Sequence, residues 1–139
     1  MRRASAYVGG ALLGGRAVLK NYPVYTTLPV TDFDRARAFY REKLGLTATG
    51  AGRDFIECAN GTGFVLASMG SKPGGHTQMS FAVDDVAAVV KELKAKGVVF
   101  EEYDYPDLKT VNSIAERPDF KGAWFKDSEG NMIGIGQRL

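Results

Sequence analysis

Shifting one stretch of this chain by 53 positions lays it on another. Val30 falls on Val83, Asp32 on Asp85, Phe33 on Val86, Ala36 on Val89 and Tyr40 on Leu93. A repeated pattern of this kind is the mark of an internal duplication, and it restricts the fold to two copies of one small unit packed together. The unit opens with a strand-like run rich in β-formers, Tyr25 to Val30 in the first copy and Gln78 to Val83 in the second. A helix follows in each. Ala36, Phe39, Tyr40 and Leu44 fall at helical spacing on one face, and so do Val86, Val89, Val90 and Leu93. Asp32 and Asp85 are suited to cap the starts, and Gly45 and Gly97 to stop the ends.

Strands then complete each copy. Asp54 to Cys58 and Gly63 to Met69 are joined across Asn60-Gly61, a strong hairpin signal. In the second copy Gly122 to Lys126 and Met132 to Gln137 are joined across residues 127–131, where Gly130 or Asn131 supplies the positive φ of the turn. Part of the run from Glu101 to Phe120, over Lys109 to Ile114, is expected to add the missing strand. The predicted class is α+β, with two tandem βαβββ modules, about residues 21–70 and 75–139, forming curved sheets around a concave cavity.

Charge and cysteine narrow the function. The chain has 139 residues, 45% hydrophobic and 24% charged, which suits one soluble domain with a real core. Its net charge is +2, but Arg2, Arg3, Arg16 and Lys20 take four of the 18 basic residues. The remainder holds 14 bases against 16 acids. No basic stripe remains, so nucleic acid is not an expected partner. Cys58 is the only cysteine, which excludes an internal disulfide and points to a cytoplasmic setting. On a strand it reads as packing, with a nucleophile as the sharper alternative. Residues 1–20 are expected to be an extension outside the domain, with weak helix or no order. Ala4 to Gly15 is too short to span a bilayer, so no membrane partner is expected.

The motifs carry a resemblance. Leu28-Pro29-Val30-Thr31-Asp32, then Ala38-Phe39-Tyr40 and Leu44-Gly45-Leu46, is similar to the opening of vicinal-oxygen-chelate proteins, the fold of glyoxalase I, extradiol dioxygenases and bleomycin-resistance proteins. Phe81 to Asp85 followed by Leu93 to Val98 resembles their second-half opening. Phe125-Lys126-Asp127-Ser128-Glu129-Gly130-Asn131 resembles their closing turn, with Ser128 in place of the usual proline. The match runs from about Pro23 to Gln137.

The resemblance implies four metal-ligand positions, which fall here on Tyr25, near Leu66, on Gln78 and on Gly134. A divalent transition metal needs imidazole or carboxylate donors with open sites. No metal or other cofactor is therefore expected. His76, the sole histidine, is read as a solvated residue at a strand start or as a hydrogen-bonding group at the cavity rim. By strand alternation Tyr25, Thr27, Gln78, Ser80, Met132 and Gly134 face the concavity, while Thr26, Leu28, Val30, Met79, Phe81, Val83, Ile133 and Ile135 pack under the helices. Tyr103 and Tyr105 are placed at the pocket mouth, and Trp124 or Phe125 adds an aromatic wall.

Such a lining suits a small organic ligand held without metal, in a protein that pairs as a homodimer. The opposing readings are a glyoxalase-type lyase, isomerase or dioxygenase, which needs a metal, and metal-independent acid–base chemistry on His76, Tyr25 or Glu57.

Overall fold

Two sheets and two helices make up the domain in the computed structural model, which describes residues 18–48, 54–68, 70 and 72–139. Most of the expected N-terminal extension and the expected strand end at Met69 lie outside the described residues. The order is β1 (Tyr25–Pro29), α1 (Phe33–Leu44), β2 (Phe55–Glu57), β3 (Gly63–Ala67), β4 (Thr77–Ala82) and α2 (Val86–Ala95). Five strands follow: β5 (Asp104–Tyr105), β6 (Leu108–Val111), β7 (Ile114–Arg117), β8 (Phe120–Lys126) and β9 (Met132–Arg138).

Both helices start and stop where their sequence says. Asp32 accepts from the Arg35 amide at 3.0 Å and Asp85 from the Ala88 amide at 3.1 Å, each satisfying one orphan donor of a first turn. Gly45 ends α1 at φ 72°, returning its amide to Arg41, while the Leu46 amide reaches the Tyr40 carbonyl at 2.9 Å. Gly97, at φ 89°, turns the chain out of α2.

The two sheets share a plan. In the first, of order β1-β3-β2, the leading strand pairs in parallel with the last. In the second, of order β4-β9-β8-β7-β6-β5, β4 likewise pairs in parallel with β9, and β9 antiparallel with β8. The copies differ in how much they add. The strands expected over Asp54 to Cys58 and from Gly63 form as β2 and β3, and the remaining strand of a βαβββ unit is represented in the first copy by a bridge between Ala48 and Ile56. The stretch expected as one strand over Lys109 to Ile114 is instead a hairpin of β6 and β7, turned by Asn112 and Ser113, both at positive φ. Glu102 makes that turn possible. Its carboxylate accepts from the Ser113 amide at 3.1 Å, the Ser113 hydroxyl at 2.6 Å and the Thr110 hydroxyl at 2.8 Å. These bonds hold Glu102 below the usual carboxylate range.

One core joins the copies. Leu28, Phe64 and Leu66 from the first sheet meet Ala123, Phe125, Ile133 and Ile135 from the second beneath α1 and α2. Tyr40 is fully buried, its ring 4.9 Å from that of Phe64, while Phe39 lies 6.4 Å from Phe125. The Tyr40 hydroxyl donates to Asp127 at 2.7 Å. Asp127 also accepts from the amides of Glu129 and Asn131 and from the Asn131 side chain, which in turn donates to the Pro29 carbonyl at 3.0 Å. Burial, then the Asp127 charge, pushes the Tyr40 phenol up, so it stays a donor. The FY segment of α1 and the closing turn of β8–β9 are thus one buried polar knot.

A second tie lies beside it. Glu129 accepts from the Thr31 and Asp32 amides at 2.9 and 3.1 Å, and from Arg35 Nε at 2.7 Å. Its side chain is 1% exposed against 53% for Arg35. The Arg35 hydrogen bond, with the amides at the helix start, holds the Glu129 carboxyl at about 2. An unfolded glutamate titrates near 4.3. The stabilisation is therefore complete above that value and is lost as pH falls from about 4.5 towards 2. Wild type should lose about 2 kcal/mol across this window, a discounted figure because Arg35 is half in solvent. Glu129→Gln should remove most of that acid dependence, as read from urea midpoints between pH 6 and 2.5.

Candidate functional site

Away from the helices each sheet has an open face, and strand pleat decides what stands on it. On the first sheet it carries Tyr25 and Thr27, with Val65 opposite Thr27 in the parallel register. The Phe55 ring lies over Gly63, and Tyr25, 57% exposed, meets it edge-on at 5.6 Å. Leu66 is a correction. It pairs with Leu28, shares its face and is buried under α1, so the position near it on the open side is Val65.

The second sheet is better furnished. A Cβ built on Gly134 would lie 2.5 Å from the Ser80 hydroxyl and 3.3 Å from a Thr77 methyl. The room expected at Gly134 is thus already taken by Ser80, which pairs with it across β4 and β9. The Phe120 ring covers Gly122 and Gly136 in the same way, within 2.6 and 3.0 Å of where their Cβ atoms would be. Trp124 leans over Gly122 from the other side at 3.2 Å. Small residues on β8 and β9 therefore let large rings from neighbouring positions lie flat on the sheet.

Between the two aromatic residues left open by the sequence, the pleat chooses Trp124. Phe125 is in the core. Tyr103 packs edge-on against Trp124 at 5.7 Å and lies 6.0 Å from Tyr105, which is 60% exposed. Burial, ahead of the Glu101 charge, raises the Tyr103 phenol. Tyr105, Asp107, Leu108, Ala115, Arg117, Phe120 and Trp124 line an open hollow of about 410 Å³. The sequence pattern starts this strand at Gly122 and so passes over Phe120, with which β8 begins. Alternation from Trp124 back through Gly122 would have found it.

Other candidates scatter. Met132 borders a second hollow of about 460 Å³, further along β8 from Trp124, together with Lys126 and Lys72. Tyr25 and Ser80 border a groove of about 660 Å³ between β1 and β4, alongside Cys58 and Thr62. Burial, then the neighbouring Glu57 charge, raises the Cys58 thiol, which disfavours the thiolate a nucleophile needs. His76 is exposed, with its ring against Gly74. It does not share a face with Gln78 in simple alternation, because the β4–β9 register slips between Thr77 and Met79. Gln78 sits at that bulge, its side-chain oxygen buried and without a hydrogen-bond partner among the described residues.

A metal does not fit this arrangement. Among the described residues no three His, Cys, Asp or Glu side chains converge on one point. The positions implied by the motifs offer a phenol, an amide, a glycine and, at the corrected register, the valine side chain of Val65. Nor is any described helix long and apolar enough to cross a membrane.

The pattern of the glyoxalase/bleomycin resistance protein/dioxygenase superfamily matches residues 23–135. The chain belongs to that superfamily. Solved structures share its fold. TnmS3, an antibiotic binding protein from Streptomyces sp. CB03234, is 25% identical with a TM-score of 0.60, over 85% of this chain and 96% of its own. A glyoxalase/bleomycin resistance protein from the same Streptomyces is 25% identical with a TM-score of 0.59, over 84% and 100%. A superfamily member from Sphaerobacter thermophilus DSM 20745 is 24% identical with a TM-score of 0.63, over 84% and 97%. Comparison with curated proteins finds no match.

Proposed function

We propose that the protein binds a small organic molecule, such as an antibiotic or a metabolite, without a metal ion. The observation that carries this reading is the hollow of about 410 Å³ walled by Tyr105, Phe120 and Trp124, with Tyr103 packed edge-on against Trp124. That volume lies within the range of small-molecule sites, and aromatic walls with a few polar groups are their usual lining. Thr77 and Ser80 supply hydroxyls on the same face, while the donor set argues against a catalytic metal. TnmS3, an antibiotic binding protein of similar fold, supports the reading. Assembly as a homodimer and a reducing cytoplasm, where Cys58 stays a thiol, belong to the same proposal.

A thermal-denaturation screen of aromatic antibiotics and metabolites tests it. A ligand at a hundred times its dissociation constant should stabilise by about 2.7 kcal/mol, roughly 10 °C for a chain of this size. The shift should be the same with and without EDTA. A shift abolished by chelator and restored by Ni, Zn, Fe or Mn would overturn the metal-free reading.

A further inference from the structure

The open face of β8 does not end at the aromatic wall. Two residues beyond Trp124 stands Lys126, on the same side of the strand and roughly 7 Å further along by strand pitch. It lines the hollow of about 460 Å³ with Lys72, Gly74, Gly75 and Met132. This hollow forms where the glycine-rich link between the copies folds over the β8–β9 turn, with Pro73 3.7 Å from where a Gly130 Cβ would be. Its one carboxylate is already committed, since Glu129 is spent on Arg35 and the start of α1. Lys72 and Lys126 make no ion pair among the described residues, whereas Lys109 and Lys121 each pair with an acid. Two uncompensated ammonium groups beside small, unhindered backbone make a receptor for an oxyanion.

We infer that the ligand is an anionic aromatic compound. Its ring system lies against Trp124, and its carboxylate or phosphate oxygens reach Lys126 and Lys72. This rests on the aromatic hollow being the binding site, and adds to it the charge of the ligand and the residues that select it.

A matched pair of probes separates the two claims. 2-Naphthoate and 2-naphthamide share a ring system and differ in charge, and calorimetry reads both. 2-Naphthoate should bind the full chain about fivefold more tightly than the amide. The Lys72→Gln/Lys126→Gln variant should erase that preference by weakening naphthoate alone. Inorganic phosphate should compete with naphthoate and leave naphthamide untouched. Both lysines are exposed, so the variant should melt like the parent. Equal binding of the two probes, each still weakened by Trp124→Ala, would overturn the anion assignment and leave the aromatic site standing. Binding indifferent to Trp124→Ala, or no binding of either probe, would refute the site and the inference together.

Discussion

Asp127→Ala should cost about 4 kcal/mol of stability, the largest loss expected from any single change outside the apolar core. The carboxylate serves four donors at once, and three of them, the Tyr40 hydroxyl and the backbone and side-chain amides of Asn131, are buried with it. Removing it strands those three in a place water does not reach. Tyr40→Phe should be milder, about 1 kcal/mol, because it deletes one donor and leaves Asp127 with three. The ordering of the two variants is the informative part. A urea titration in which Asp127→Ala lost less than Tyr40→Phe would show that the knot is not what ties α1 to the β8–β9 turn.

On the binding side the largest effect should come from Trp124→Ala. A central aromatic anchor contributes about 2 kcal/mol or more to a small interface, so affinity for any stacked ligand should fall about thirtyfold. Trp124→Phe should retain most of it. Trp124 is also the only tryptophan in the chain, so its fluorescence reports the site without a label. Ligand addition should quench it or shift its maximum. A ligand that stabilises the protein yet leaves this emission unchanged sits elsewhere, with the groove between β1 and β4 as the next place to look.

Where local chemistry fixes conformation, the sequence was readable. Asp32 and Asp85 cap as expected, Gly45 takes the left-handed end of α1, Asn60 and Gly61 turn β2 into β3, and Gly130 turns β8 into β9. Face assignment worked where alternation was clean, as at Tyr25 and Thr27. It failed where long-range pairing overrides period two. Phe64, Val65 and Leu66 are apolar on both sides, so nothing local says which one points inward, and the register with β1 decides against Leu66. The bulge at Gln78 moves His76 out of phase for the same reason. The β6–β7 hairpin was hidden because its turn contains no glycine. What allows Asn112 and Ser113 their positive φ is a carboxylate eleven residues back from Ser113.

That carboxylate sets the character of the pocket wall. The strands β5 to β7 that carry Tyr105 and Leu108 fold around Glu102 through Thr110 and Ser113, while the knot at Asp127 secures the rest of the domain separately. Appetite for a different guest could then be acquired by rewriting one short hairpin and keeping its internal clasp, and the chassis beneath would scarcely register the exchange.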